Sequence, residues 1–372
     1  MLGPEVLAQL ETPCLVIEKE IVRRNLEKMQ KIADRAGVAL RPHCKTHKMC
    51  SYAKLQLEYG ACGITCAKVS EAEVMADGGI DDIFIAYPLV GEFRLRRAMA
   101  LARRCRRLIL AVDSVETARM LSDAATAVGL TVEVRMEVDT GARRTGAPLE
   151  QAVELASYIA GLPGLDLTGI YTFKGLILDR KPTGDREAAG REEGALMAQT
   201  AARLREIGIE LRDISAGSTP TGENVANTGL VTEIRPGTYI FNDHMLCCEG
   251  WARPEEIAVH YYATVVSTPR PDYAVLDGGT KTFPMDTPVN AEPYFYPGYA
   301  LVDGRPDLRL CRMNEEHGIV EAAGASTGLR VGQIVRLTPI HICTAVNLQN
   351  TVYEYDAGTL RKLRVDARGM LV

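Results

Sequence analysis

Between residues 38 and 238, short runs of β-favouring residues alternate with amphipathic segments, and this alternation limits the possible folds more than any other feature. The runs cover residues 38–42, 63–66, 82–86, 107–112, 132–138, 166–172, 211–216 and 231–238. Between most of them, apolar residues recur at helical spacing, at 69–76, 91–105, 115–128, 149–159 and 187–207. Consecutive parallel strands need long crossover connections, so strand–helix alternation specifies a parallel sheet. Eight such units predict an α/β fold built on a closed (β/α)8 barrel of the TIM type. An open sheet of fewer strands is the alternative, because the connection at 222–230 is short. A helix at 21–36, stopped by Gly37, precedes the first run.

After about residue 245 the texture changes. Runs at 257–267, 273–276, 318–322, 334–337 and 351–355 are short and β-rich, with Pro and Gly between them. They predict an antiparallel β domain without a long helix. The strand at 14–18 does not fit the eight-unit count and can complete that second domain. With 372 residues the chain exceeds the ~250–300 at which one core stops growing, so two domains are expected. The boundaries read as 19–245 for the barrel and 246–372, with strand 10–18, for the β domain. The charged stretch 179–193, DRKPTGDREAAGREE, reads as a solvated excursion.

Composition excludes several classes of function. A net charge of -5, from 43 basic and 48 acidic residues, offers no basic excess for a nucleic acid. No stretch approaches the ~20 apolar residues of a membrane span, and the N-terminus is acidic where a signal peptide is basic and then apolar. Ten scattered cysteines form no disulfide framework, consistent with a reducing, cytoplasmic setting.

In barrels of this kind, chemistry collects at the C-terminal strand ends. The first run is followed by RPHCKTHK (41–48), which offers Lys45 beside Arg41 and two histidines. Desolvation and cationic neighbours at a barrel mouth lower a lysine's pKa and make it a nucleophile, whereas the competing reading is a plain basic loop. After the seventh run comes SAGSTPT (215–221), whose Gly217, Ser218 and Thr219 suit a phosphate; an ordinary turn is the alternative. After the eighth comes Arg235-Pro236-Gly237-Thr238-Tyr239, and phosphate sites in barrels often use the last two strands. In the β domain, His341 and Cys343 stand at i and i+2 of an expected strand, hence on one face, where they could hold Zn²⁺. A core histidine beside a buried cysteine is the competing reading. Glu315-Glu316-His317 is a second candidate cluster.

These segments resemble the D-serine dehydratase and D-threonine aldolase group of alanine-racemase-like (fold-type III) pyridoxal enzymes. The resemblance is carried by RPHCKTHK, DTGARRTG (139–146), SAGSTPT, TEIRPGTYIFND (232–243), LDGGTKT (276–282), EEHG (315–318) and PIHICTAVN (339–347), in the family's order over nearly the whole chain. It implies a pyridoxal 5'-phosphate cofactor held covalently by Lys45. It implies that Gly217, Ser218, Thr219, Gly237, Thr238 and Tyr239 bind the cofactor, with Arg235 facing the pyridine nitrogen. Arg144 would lie at the ring edge, Tyr171 would position cofactor or substrate, and His341 with Cys343 would hold a divalent metal, by preference Zn²⁺. Homodimers are the family's usual state. One departure stands out: Lys174, in YTFKGL (171–176), occupies a place where the family usually carries a histidine.

The resemblance implies a lyase that eliminates water from a D-β-hydroxy amino acid, giving a 2-oxo acid and ammonia. Retro-aldol cleavage to glycine and an aldehyde is the alternative. His-x-Cys is the metal pattern of the dehydratases, whereas the aldolases tend to His-x-Asp, so Cys343 favours elimination. A racemase, or a non-catalytic cofactor carrier, is a weaker alternative.

Overall fold

Eight parallel strands form where the alternating pattern requires them, in a computed structural model that describes residues 2–324 and 326–372. They are Ala39–Leu40, Ile64–Cys66, Asp82–Pro88, Arg107–Val112, Val132–Asp139, Leu165–Tyr171, Asp213–Ala216 and Glu233–Ile234, each hydrogen-bonded to its neighbour in that order. The last strand closes on the first through Ala39 and Leu40. On the other side of the first strand, the Cys62 amide donates to the Leu40 carbonyl at 2.9 Å and the Thr65 amide to the Pro42 carbonyl at 2.8 Å. The sheet therefore meets itself as a TIM-like barrel. Its strands are short and apolar because both faces are covered: Ile83, Ile85, Ile109, Leu110, Val134 and Met136 are all fully buried.

Helices Val69–Asp77, Glu92–Ala102, Val115–Ala127, Ala152–Ala160 and Arg186–Glu206 form the crossovers. A further helix, Cys50–Glu58, falls where no periodicity was legible. The reading of 179–193 as a solvated excursion needs correction. From Arg186 onward this stretch is the first part of a 21-residue helix, and Glu193 within it is fully buried.

The chain separates into two compact units: residues 27–45, 49–237 and 370–372 in one, and 1–26, 46–48 and 238–369 in the other. The second unit is built on a nine-stranded sheet, with strand order Tyr273–Leu276, Gly318–Ala322, Leu308–Met313, Ala300–Val302, Ile334–Pro339, Val259–Arg270, Cys14–Glu18, Thr351–Asp356 and Thr359–Arg364. Tyr273–Leu276 also pairs with Val259–Arg270, which curls the sheet towards a barrel. Every pairing is antiparallel except one: Cys14–Glu18 lies parallel to Thr351–Asp356. Cys14–Glu18 is thus an interior strand of this sheet. Both of its faces are buried, Leu15 and Ile17 on one and Cys14 and Val16 on the other.

Candidate active site

The lower end of the barrel is an ion network built from the first residues of the strands. Asp82, Arg107, Asp213 and Glu233 each open a strand. Glu233 is 2% exposed and accepts hydrogen bonds from Arg41 Nε at 2.8 Å, Arg135 Nη1 at 2.6 Å and Ser215 Oγ at 2.6 Å. Burial opposes its charge, but the two guanidinium groups prevail and hold its carboxyl well below the usual range. Glu133, likewise opposed by burial, is drawn down to about 2 by Arg107 and Thr168.

Ser215 connects this network to the upper end. Its Oγ accepts from Arg235 Nη1 at 2.5 Å, while Arg235 Nη2 donates to the Thr172 carbonyl at 2.5 Å. Among the described residues, Arg235 has no carboxylate within 4.0 Å, so a buried guanidinium is held directly by neutral groups and indirectly by Glu233. It lies over the Tyr171 ring, 5.1 Å from the centroid. Burial disfavours its charge and lowers its pKa. Tyr171 is 1% exposed, stands edge-on to Phe84 and donates its hydroxyl to Glu137 at 2.9 Å. In this arrangement Tyr171 supports Arg235 from below.

Lys45 follows the first strand. Its Nζ stands 5.8 Å from the Phe173 ring centroid, and the Arg144 guanidinium lies 4.5 Å from the same ring. Three segments that follow different strands therefore meet around one aromatic face, and Phe173 was not singled out from sequence. Lys174, one residue on, points elsewhere. It is 1% exposed, and its ammonium is ion-paired with Glu192 and donates to the Ala189 carbonyl at 3.4 Å. The residue standing where a catalytic histidine was expected thus ties its loop to the helix Arg186–Glu206.

The turn after the seventh strand is tight. Gly217 has φ +89°, and a Cβ there would sit 3.0 Å from the Gly222 Cα. The Gly217 amide donates to Glu193 Oε1 at 3.0 Å and the Ser218 amide to Thr221 Oγ1 at 3.2 Å. Gly217 is required here by packing, because the space a side chain would take is filled by Gly222, Ile234 and Val225. Gly237 follows the eighth strand in the same unit, and the Arg235 amide bonds the Gly217 carbonyl at 3.3 Å.

In the second unit, the expectation that His341 and Cys343 lie on a strand is overturned. The segment Ile342–Leu348 is a short helix with His341 as its N-cap, so the first helical turn, and not strand alternation, brings the two side chains together. The apolar texture of LTPIHICTAV (337–346) masks the helix because the local cap is supplied from far away. Asp243 accepts the Ile342 amide at 3.0 Å on one oxygen and the Leu246 amide at 3.0 Å on the other. His341 Nδ1 stands 2.6 Å from Asp286 Oδ2, which also accepts from Thr344 Oγ1 at 2.6 Å. Burial works against a charged imidazole, but Cys343 and Asp286 outweigh it and lift His341 to about 11. Cys343 Sγ lies 3.1 Å from Thr46 Oγ1 and 3.6 Å from Thr238 Oγ1. Tyr239 is buried in the 3-10 turn Thr238–Ile240, which ends the eighth run earlier than its sequence suggests.

Asp243 and Asp286 were not identified from sequence. An aspartate ahead of a helix was a readable capping signal for Asp243; Asp286, distant in sequence, had none. Glu316 forms an exposed ion pair with Lys281 at 2.7 Å, and Asn314 to His317 form a turn. Among the described residues, the cluster of three potential ligand atoms within 4.8 Å of one another is Cys44, Cys66 and Glu71, buried in the barrel. Glu71 there accepts the Ala67 amide at 2.7 Å, at the start of the helix Val69–Asp77.

Comparison with known proteins gives two domain matches. The N-terminal domain of alanine racemases matches residues 17–244, and a putative serine dehydratase domain matches 258–355. A D-threonine aldolase from Arthrobacter sp is 33% identical over 98% of this chain and 94% of its own. Two solved structures of D-threo-3-hydroxyaspartate dehydratase mutants are each 31% identical with a TM-score of 0.88, covering 96% of this chain and 95% or 98% of theirs. One carries a histidine-to-alanine change; the other carries a cysteine-to-alanine change and is in the metal-free form.

Proposed function

Because the chain belongs to the alanine racemase N-terminal domain family and continues into a putative serine dehydratase domain, we propose that it is a pyridoxal-phosphate- and metal-dependent lyase acting on a D-β-hydroxy amino acid. It eliminates water, and hydrolysis of the released enamine product then gives a 2-oxo acid and ammonia. The observation that carries this reading is the meeting of Lys45, Arg144 and Phe173 after three different barrel strands, beside a buried Arg235 that has no direct carboxylate partner among the described residues.

The residues fit the cofactor. Gly217 has the positive φ and the crowding that exclude a side chain, which keeps the turn tight and sets the small, hydroxylated Ser218 and Thr219 where the phosphate would bind. A guanidinium held by neutral oxygens is suited to face a ring nitrogen, with Ser215 and Glu233 fixing its direction. Lys45 would hold the aldehyde carbon, with Ser218, Thr219, Gly237, Thr238 and Tyr239 around the phosphate. The His341 and Cys343 pair fits a soft divalent cation, and its thiolate favours Zn²⁺. The Asp286 bond fixes Nδ1 of His341 as the donor, leaving Nε2 to face a metal. The histidine and cysteine mutated in the two dehydratase structures also stand two residues apart, which supports this assignment.

When bound, pyridoxal phosphate supplies an electron sink at the α-carbon and the metal polarises the β-hydroxyl. The chain's own residues do the rest. Lys45 takes the α-proton as an amine. Arg235 would face the ring nitrogen and donate a hydrogen bond without giving up its proton, which limits charge build-up and suits elimination. Phe173, 38% exposed, would give the substrate an apolar wall, and Arg144 would offer a guanidinium to a carboxylate. Tyr171 acts through Arg235.

Aldol cleavage is the second reading, favoured by the full-length similarity to D-threonine aldolase. Incubation with D-threonine separates the two. The proposal predicts 2-oxobutyrate and ammonia; glycine with acetaldehyde replaces it by the second reading. The family resemblance supports a homodimer, and ten cysteines without a disulfide framework support a reducing, cytoplasmic setting. No helix among the described residues is long and apolar enough to cross a membrane.

A further inference from the structure

Behind the turn that follows the seventh strand lies a carboxyl group for which the proposed chemistry has no use. Glu193 sits mid-helix in Arg186–Glu206 and is fully buried. The helix presses closely on the segment that follows the turn. A Cβ at Gly190 would meet Asn224 Cβ at 2.6 Å, and one at Gly194 would meet Thr228 Oγ1 at 2.9 Å. Glu193 is therefore held in place rather than swinging on a loose helix.

A chain of hydrogen bonds runs from Glu193 to the turn. Oε1 accepts the Gly217 amide at 3.0 Å. Oε2 is 3.2 Å from Thr221 Oγ1, which is 3.0 Å from Ser218 Oγ and accepts the Ser218 amide at 3.2 Å. Each hydroxyl has one proton, so the chain has only two directions in which every contact remains a hydrogen bond. With Glu193 ionised, Thr221 donates to Oε2 and Ser218 donates to Thr221, so Ser218 Oγ presents lone pairs to the turn's exterior. With a proton on Oε2, the same contacts reverse: Glu193 donates to Thr221, Thr221 donates to Ser218, and the Ser218 proton is released outward. Only the second direction suits a phosphate oxygen.

We propose that Glu193 is a positioning residue of the phosphate subsite: it gains a proton on Oε2 when a phosphate binds, and so turns the Ser218 hydroxyl towards the anion. The inference rests on the assignment of 217–219 to the phosphate under the proposed function. The groups facing Glu193 are consistent with a proton held there. Burial disfavours the carboxylate and raises its pKa, against the Gly217 amide, Lys174, Arg235 and Thr221, which favour the ionised form. Lys174 is itself ion-paired with Glu192, and the groups met from 221–228, Asn224 and Thr228, are neutral.

The test titrates full-length apoenzyme with pyridoxal 5'-phosphate and, separately, with pyridoxal, which lacks the phosphate. Calorimetry at pH 8 in two buffers of different ionisation heat counts the protons taken up. The pyridoxal titration removes the contribution of Lys45, and at this pH a phosphate monoester, with its second pKa at ~6, is already dianionic. Wild type should take up about one more proton with the phosphorylated compound than with pyridoxal. Glu193→Gln, whose amide donates to Thr221 permanently, should keep affinity and show no difference in proton count. Glu193→Ala should weaken the phosphorylated compound by roughly 5–150-fold and leave pyridoxal unchanged, from the loss of a buried hydrogen-bonding group worth ~1–3 kcal/mol. Equal proton counts for the two compounds in wild type, or an unchanged difference in Glu193→Gln, would overturn the inference. The visible absorbance of Lys45-bound cofactor is followed in the same samples. If it forms while the proton counts are equal, the proposed function stands and only the role of Glu193 falls; if wild type never forms it, the underlying reading falls too.

Discussion

Replacing Glu233 by Gln keeps the volume of the side chain and removes its charge from the centre of the barrel's ion network. The structure sets the magnitude. Glu233 accepts from Arg41 at 2.8 Å, from Arg135 at 2.6 Å and from Ser215 at 2.6 Å, with essentially no water available to substitute. Breaking a buried ion pair costs about 3–5 kcal/mol because the remaining charge stays buried. Arg41 keeps Asp82 at 2.5 Å and Arg135 keeps Asp213 at 3.0 Å, so the lower end, about 3 kcal/mol, is expected. With an unfolding entropy of about 2.1 cal/mol/K per residue, a 372-residue chain should lose about 4 °C in Tm. The amide also turns N–H groups towards arginine donors, so the variant cannot recover the bonds by rotating. Differential scanning calorimetry reads the shift. Because Ser215 carries the network to Arg235, cofactor affinity should fall as well. A variant melting within about 1 °C of wild type would refute the claim that Glu233 organises the barrel interior.

Two further perturbations test other parts of the account. Glu133 has a folded pKa of about 2, below the ~4.3 of an unfolded glutamate, and Glu233 is depressed too. Their stabilisation is full above the unfolded value and is lost as pH falls through the folded one. Chemical denaturation from pH 6 to 2 should show stability declining below about pH 4.5, and Arg107→Ala should flatten that decline; an unchanged slope in the variant contradicts the pairing. In the second unit, Asp286→Asn should weaken Zn²⁺ binding by roughly 10–100-fold in competition with a chromophoric chelator, since the carboxylate orients His341; equal affinity would remove Asp286 from the site.

The barrel was readable because its signal is repetitive. Each strand is a short apolar run covered on both faces, and most crossover helices leave their own period. The edges blurred where tertiary contacts, not local pattern, decide. Cys50–Glu58 shows little amphipathic pattern, since Tyr52, Ala53 and Gln56 are its buried residues. The charged run before Glu193 looked solvated because sequence alone cannot reveal that one glutamate of several is roofed by a turn 24 positions away. The strand expected at 341–343 is a helix for a similar reason: its first amide is capped by Asp243, 99 residues earlier. At the site, Lys45 and Arg235 stood out because chemistry-bearing residues at strand ends converge by construction, and Arg144 through the family resemblance. Phe173 and Asp286 did not, because their roles exist only through neighbours that the fold supplies. The structure also explains the departure at Lys174: a buried ammonium needs a partner, and Glu192 on the packed helix provides it.

Every role proposed for the site requires that Lys45 bond the cofactor's aldehyde carbon. Reduction of the holoenzyme with borohydride, followed by peptide mapping by mass spectrometry, tests it most directly. The predicted result is a phosphopyridoxyl group on the peptide containing Lys45, lost in Lys45→Ala together with the visible absorbance. A stable label on another lysine, or a cofactor band that persists in Lys45→Ala, would contradict it.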